Sequence, residues 1–286
     1  MTLDVDLAHQ ALSRLAKDMN LSIEQAALGM VKVANTHMER ALRLISVERG
    51  HDPRDYTLLS FGGAGGLHAA DLARALGIPC VLVPPLASTL SAYGMLVAEV
   101  VKDYIQTVML PGDTSPTTVR NLFEPMVIRG YREIETEGIP AGSIRVDCFL
   151  DMRYKGQSYE LMVPFVDDFI LSFHSLHTDT YGYAQHTGPV EIVNLHLRAV
   201  GHLDPPHLEP SPFAAPDPSP ASLGTHDVFF SDLPLPTIFY RGELLQPGNR
   251  LVGPAVVVRS DTTILLGASD RANVDEFHNL IIEVGK

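Results

Sequence analysis

The sequence is short of cysteine, of positive charge and of long apolar runs, and each shortage closes a class of explanation. Two cysteines, Cys80 and Cys148, in 286 residues cannot build a disulfide framework. Both lie in apolar, strand-like runs, so the expectation is a pair of buried, reduced thiols. Lysine and arginine number 21 against 34 acidic residues, a net charge of −13. Such a surface repels phosphate backbones and anionic membranes, and no basic run interleaved with aromatics offsets it. Nucleic acid is therefore set aside as a partner. No apolar stretch approaches the ~20 residues of a membrane span. Met1-Thr2-Leu3-Asp4-Val5-Asp6 carries acids where a signal peptide has an apolar core. A soluble, cytoplasmic protein is the expectation. Apolar residues make up 45 % and charged residues 19 %, ordinary values for a globular chain with room for roughly two domains.

Periodicity organises what is there. Ala8, Leu12, Leu15, Ala16 and Met19 recur at helical spacing. Ser22 and Gln25 then form a capping-box pattern ahead of a second helix. Its stripe of Ala27, Met30, Val31, Ala34, Met38, Ala41, Leu42 and Ile45 predicts a core-facing surface. Gly50 suits a left-handed end, and Asp52-Pro53 turns the chain. A strand over 56–61, a glycine-rich loop, a helix over 67–76 closed by Gly77 and a strand over 80–83 make a β–loop–α–β unit. Two short apolar strands joined through a helix argue for parallel neighbours. Residues 88–101 read as a buried helix. Ser115-Pro116 begins another, running to about Glu137. A hairpin is predicted over 144–163 across Lys155-Gly156-Gln157-Ser158, a helix over 167–177, and an alternating strand from Val190. Seven prolines between Asp204 and Ser222 mark an extended connection, and short β-like runs follow.

Strand, glycine loop and helix is the one local arrangement with a direct chemical use. Glycines let a ligand approach the backbone, and the next helix offers unpaired N–H groups and a positive dipole end. The loop Gly62-Gly63-Ala64-Gly65-Gly66 is not a Walker A sequence, since no Gly-Lys-Ser/Thr follows. A G-x-G-x-x-G fingerprint fails too, because His68 takes the third glycine's place and Pro84 stands where a ribose-binding acid belongs. From the residues alone a structural tight turn and an anion or nucleotide site both stand.

Phe61-Gly62-Gly63-Ala64-Gly65-Gly66-Leu67-His68-Ala69 closely resembles the FGGAGPLHA signature of the hydantoinase A / 5-oxoprolinase / acetone carboxylase family. The resemblance extends, in order, through Ser91-Ala92-Tyr93-Gly94, Asp151-Met152-Arg153-Tyr154-Lys155-Gly156-Gln157, Tyr181-Gly182-Tyr183, Gly253-Pro254-Ala255 and Asp261-Thr262-Thr263. It covers essentially the whole chain, against the second half of that family. It implies an α/β fold: the second half of an actin-like (ASKHA) ATPase followed by a C-terminal β-rich α+β region. The implied divisions are 1–110 (adenosine-side lobe), 111–203 (α+β), 204–222 (proline-rich connection) and 223–286 (β-rich). By the same resemblance Gly62, Gly63, Ala64, Gly65, Gly66 and His68 lie against the adenosine of ATP, with Mg²⁺ present in the assembled site.

The family's two phosphate turns have the form D-x-G-G-T, and this sequence holds none. The resemblance therefore implies a non-autonomous subunit whose partner, a larger chain carrying those turns, completes the site. Family members use ATP to activate a carbonyl oxygen of a small substrate. The leading expectation is a subunit of a ketone carboxylase (acetone or acetophenone type) with further carboxylase subunits. A hydantoinase or 5-oxoprolinase type of cyclic-amide hydrolase is the enzymatic alternative, and a catalytically silent structural subunit is the third. Three positions depart from the family pattern: Gly66 replaces a proline and should loosen the loop, Ala87-Ser88 replaces a glycine-containing turn, and Arg259 stands where an acid is common.

No residue takes a catalytic role by spacing alone. Asp151, Arg153, Tyr154, Gln157 and Glu160 crowd a hairpin turn, as a substrate-orienting cluster or as structural ion pairs. Among twelve histidines, His174 with His177, and His196, His202 and His207, invite a metal reading. No cysteine partner or H-E-x-x-H pattern supports one, so no metal site is expected. The absence of a G-x-S-x-G elbow argues against covalent catalysis.

Overall fold

Local chemistry sets most of the element ends. The computed structural model describes residues 4–285; Met1-Thr2-Leu3, at the head of the acidic opening segment, lies outside them. Helix α1 (Val5–Met19) starts where the Asp4 carboxylate accepts the Leu7 N–H. Helix α2 (Ile23–Ile45) opens with the full capping box: the Gln25 N–H donates to Ser22 Oγ and the Ser22 N–H to Gln25 Oε1, both at 3.1 Å. Strand β1 (Thr57–Leu59) leads through the glycine loop to α3 (Gly65–Leu76), which Gly77 closes in the left-handed region at φ 72°. Next come β2 (Cys80–Val83), α4 (Leu90–Val97), β3 (Val100–Pro111), and α5 (Pro116–Thr136) with Ser115 at its N-cap. Strands β4 (Ile144–Tyr154) and β5 (Leu161–Pro164), helix α6 (Phe169–Tyr181) and strand β6 (Val190–Gly201) follow. After the proline segment lie β7 (Ser222–Phe229), β8 (Pro234–Arg241), β9 (Arg250–Val252) and β10 (Ala255–Val258). Strands β11 (Thr263–Leu266), β12 (Arg271–Val274) and β13 (Leu280–Glu283) complete the chain.

These elements form two compact units, Met1–Gly94 with His207–Lys286, and Met95–Pro206. The first holds two sheets, ordered β1-β2-β13-β12-β9 and β11-β10-β8-β7. Strands β1 and β2 are parallel, with Thr57 opposite Cys80. On the other side β2 pairs antiparallel with β13, and Val83 faces Leu280. Strands β9, β12 and β13 thus extend the sheet that the glycine-loop unit begins, so residues 57–83 share one sheet with 250–252, 271–274 and 280–283, from which the linear division at 110, 203 and 222 separates them. Between the two sheets and α3 lies an apolar core that includes Ala73, Val81, Leu251, Val257, Ile264, Leu266 and Ile282. Ala69, Leu72, Ala73 and Leu76 recur at three and four residues along α3, which is why that face buries.

The second unit is an antiparallel sheet ordered β3-β6-β4-β5. Leu195, Leu197 and Ala199 of β6 pack with Phe123 and Ile134 of α5 and Phe173 of α6. The alternation read from the sequence places them correctly.

Three expectations need correction. The stripe on α2 does not face a core: the helix's one buried residue, Ala26, lies outside the stripe, while Met30, Val31 and Ile45 are 53 %, 42 % and 59 % exposed. Leu42 alone of that stripe packs against the core cluster. Amphipathicity predicts an apolar face and not what covers it. Residues 88–101 do not form a buried helix; α4 ends at Val97, buries no residue, and leaves Met95 and Leu96 exposed. Strand β3, twelve residues long, has no counterpart in the sequence reading, because Lys102-Asp103 and Gln106-Thr107 break its alternation.

A buried ion pair fastens the end of the first unit. The Asp270 carboxylate, 0 % exposed, accepts from Arg74 at 2.7 Å and from the Gly267 and Gly285 N–H groups at 2.7 and 2.9 Å. Asp270→Ala strands two backbone donors and leaves the Arg74 guanidinium only the exposed Asp71 carboxylate and the Gly285 carbonyl. Because Arg74 is one-third exposed, the expected loss is about 2–3 kcal/mol, checked by urea unfolding of wild type and variant.

Candidate functional site

Four strand ends converge in the first unit. Strands β1 and β2 are parallel, and so are β8 and β10, with Arg241 opposite Val258. Their C-terminal ends lead into the glycine loop, the Pro84–Ala87 turn, the Gly242–Leu244 turn and the Arg259–Thr262 turn. Ligands in open α/β sheets bind beyond the carboxyl ends of strands, where loops diverge.

These loops brace one another. The Gly62 N–H donates to the Ala87 carbonyl at 2.8 Å, from a left-handed φ of 91° that favours glycine. The hydroxyl of Thr262, 4 % exposed, donates to the Gly63 carbonyl at 3.0 Å. The Ser88 N–H donates to Asp261 at 3.1 Å, and Arg259 donates to the Pro84 carbonyl at 2.9 Å and to the His278 carbonyl at 3.4 Å. Burial lowers the pKa of Arg259, while the charges of Asp261 and Glu243 oppose that shift. Backbone N–H groups of its own residue and of Ser260 hold the Glu243 carboxyl below the usual range.

Each sequence-predicted residue has a definite place. Gly62, Gly63, Ala64 and Gly65 form the loop and the entry to α3, whose N-cap, Ala64, supplies no side-chain cap. Gly66 is buried: a Cβ there would meet the Thr263 carbonyl oxygen at 2.6 Å and Ile264 at 2.9 Å. Its lack of a side chain lets α3 sit against β11, the reverse of a loosened loop. His68 turns to α2, where Nδ1 donates to Asn35 Oδ1 at 2.7 Å. With Leu67, Val31 and Leu28 it lines an open cleft of about 610 Å³ along α3. Sequence reasoning missed Ser60, whose enclosed Oγ has no hydrogen-bond partner among the described residues and lies 3.2 Å from where a Cβ on Gly65 would stand. It also missed the bracing role of Thr262 and Asp261, although their Asp-Thr-Thr motif was visible.

The other clusters are structural. Arg153 pairs with Glu160 at 3.1 Å and Glu191 at 3.3 Å, while Asp151 accepts from Asn194 at 3.0 Å. His174 and His177 lie in the second unit's interior, 5 % and 1 % exposed. The Gln185 N–H donates to the Tyr154 hydroxyl at 2.7 Å, and that hydroxyl is hydrogen-bonded to His174 Nδ1 at 2.7 Å. His177 Nδ1 donates to the Tyr183 carbonyl at 2.7 Å. His196 and His202 lie beside Asp103 and Glu99 at 3.5 and 3.2 Å. Among the described residues no group of three or more His, Cys, Asp or Glu is placed to hold a metal ion. No helix among them is long and apolar enough to cross a membrane. Cys80 and Cys148 are free and half-buried, and burial raises both thiol pKa values, the signature of unreactive cysteines.

The fold is α/β, the second half of an actin-like (ASKHA) fold followed by a β-rich α+β region. It superposes on the solved nucleotide-free acetone carboxylase with a TM-score of 0.88 at 21 % identity, covering 99 % of this chain and 43 % of that one. The family described as hydantoinase/oxoprolinase matches residues 1–104, and the hydantoinase/oxoprolinase C-terminal domain matches residues 114–283. The chain belongs to the hydantoinase/oxoprolinase family. An uncharacterized protein of Methanocaldococcus jannaschii is 36 % identical over 97 % of this chain and 41 % of its own length. The caprolactamase subunit alpha of Pseudomonas jessenii is 30 % identical over 92 % of this chain and 40 % of its own. The solved structure of that organism's caprolactamase, described as ATP-dependent, gives a TM-score of 0.70 at 27 % identity, covering 99 % of this chain and 43 % of that one. The chain thus spans about two-fifths of the length of these relatives.

Two outcomes test the site's construction. Gly66→Val drives methyl groups into the Thr263 carbonyl and should cost about 1–3 kcal/mol, read from urea midpoints. Burial, then the neighbouring His186 and His177 charges, lower the His174 pKa below its ordinary 6.5. The folded state then binds fewer protons than the unfolded one, so stability falls as pH drops through about 6.5 and levels off below the folded value. His174→Gln should flatten that part of the profile, measured as melting temperature against pH.

Proposed function

We propose that the Gly62–Gly66 loop and the first turn of α3 form the adenosine-side wall of an ATP site. The observation that carries this reading is the uncapped start of α3, which opens beyond the C-terminal ends of parallel β1 and β2 in a chain of this family. Backbone N–H groups there can donate to acceptor atoms of the nucleoside. The cleft along α3, with Val31 and Leu67 on its walls, offers apolar surface for the base. His68, anchored to Asn35, lines the same cleft. The acetone carboxylase and caprolactamase structures are both described as ATP-dependent, which supports the choice of nucleotide.

The phosphate side comes from elsewhere. No D-x-G-G-T turn occurs in the sequence, so a further polypeptide segment or partner bearing those turns completes the site and, with its phosphates, the Mg²⁺. The exposed apolar residues of α2, Met30, Val31 and Ile45, give it surface to cover. The proposed reaction is ATP-dependent activation of a carbonyl oxygen in a small substrate. In one reading the assembled enzyme, with further carboxylase subunits, carboxylates a ketone, a reading supported by the likeness to acetone carboxylase. In the second it opens a cyclic amide, and the 30 % identity with a caprolactamase subunit favours that one.

Gly63→Val is the direct test, because a Cβ at 63 meets only the Asp261 carbonyl, at an ordinary 3.7 Å, while larger groups reach into the loop mouth. The expected outcome is ATP binding by the assembled enzyme weakened at least about tenfold, roughly 1.4 kcal/mol, with an unchanged melting temperature. Unaltered ATP affinity would leave the chain a silent scaffold. In the wild-type assembly, ATP hydrolysis that requires a lactam, or a ketone with bicarbonate, separates the two reactions.

A further inference from the structure

Strand β7 ends the sheet ordered β11-β10-β8-β7, so among the described residues one of its edges pairs with no strand. Which backbone groups lie on that edge follows from β8. The Ile238 N–H donates to the Pro254 carbonyl, on the β10 side, at 3.4 Å. Backbone groups of successive strand residues point to opposite sides. Leu235 and Thr237 therefore turn toward β7, where they stand opposite Val228 and His226. Pro234 and Pro236, which cannot donate, fall on the other side. His226 and Val228 bond β8, and the N–H and C=O groups of Thr225, Asp227 and Phe229 point off the sheet.

Little guards this edge. Open edges are ordinarily blunted by lysine, proline, bulges or a covering segment. Strand β7 has no lysine, arginine or proline, and residues 222–227 are all exposed. Its one irregularity, at Gly224 with φ 107°, lies near the start and leaves Thr225–Phe229 in regular register. The side chains then select the occupant. A two-fold antiparallel contact pairs outward-pointing residues with each other, so its axis passes through one residue. An axis on Asp227 sets two carboxylates face to face, which is unfavourable. One on Thr225 runs the ladder into the Gly224 bulge. One on His226 sets Thr225 opposite Asp227 of the second copy, twice, a hydroxyl donor beside a carboxylate acceptor. Donor and acceptor placed symmetrically about a single residue make the strand complementary to its own antiparallel copy.

We propose that β7 pairs antiparallel with β7 of a second copy of this chain, about a two-fold axis through His226. The contact joins two four-stranded sheets into one continuous sheet. At each end of the ladder Leu223 of one copy, 43 % exposed, nears Phe229 of the other, 40 % exposed. The contact stands whether or not the glycine loop holds a nucleotide.

Sedimentation velocity of the full chain over a concentration series, at about pH 8 where histidine is neutral, tests this. The expected result is a dimer in exchange with monomer. Asp227→Pro removes an outward N–H that β8 does not use. It should raise the dissociation constant at least about tenfold, with an unchanged circular dichroism spectrum. Cysteines report the register. Residues of a non-hydrogen-bonded antiparallel pair stand about 4.5 Å apart at Cα, within disulfide reach. His226→Cys should therefore give a disulfide-linked dimer under mild oxidation. Phe229→Cys sets its thiols about 20 Å apart and should not. The wild type, with its half-buried Cys80 and Cys148, is the control. A monomer at every concentration overturns the proposal and leaves the edge to other polypeptide of the enzyme. A dimer indifferent to Asp227→Pro overturns it by placing the contact elsewhere. So does a dimer that Phe229→Cys links and His226→Cys does not.

Discussion

The hydrogen bond from the Thr262 hydroxyl to the Gly63 carbonyl joins residues 199 positions apart, and the candidate site rests on it. A glycine-rich loop has little conformational preference of its own, so something outside it must choose its shape. Here the β10–β11 turn does so through Thr262, and the turn after β2 does so through the Ala87 carbonyl. Arg259 and Asp261 tie those two turns to each other, which makes the three loops a single frame. The absent side chain of Gly66 closes the frame from below, because α3 reaches β11 only where no Cβ intervenes.

That frame explains why the last strands matter to a loop near the start. Strand β13 pairs with β2, and β12 and β9 extend the same sheet. The buried Asp270–Arg74 pair anchors α3 to the turn before β12 and to Gly285. A ligand at the glycine loop would therefore be held by residues from both ends of the sequence. The second unit, by contrast, is self-contained in its packing: α5 and α6 cover an antiparallel sheet, and its histidines are spent on holding Tyr154, Tyr183 and Gln157 in place.

Much of this was legible in the residues. The Ser22–Gln25 capping box, Ser115-Pro116, the left-handed Gly77 and the alternation of β6 act over a few residues, and short-range chemistry decides them. The parallel pairing of β1 and β2 followed from two short apolar strands joined through a helix. The apolar stripe on α2 was legible too, but its exposure was not. A helix's own residues specify which face is apolar, while burial depends on what else is present to pack against it.

The sequence determined the helices, the strand–loop–helix unit and the membership of its motifs in one family, because each is written in spacing that neighbouring residues enforce. Tertiary structure decided which distant turns meet the loop. It gave Thr262, Asp261 and Arg259 their bracing roles, placed Ser60 beneath Gly65, and turned His68 toward Asn35. Such contacts depend on sheet order and register, which are set by the packing of the whole core and leave no local signature in the chain.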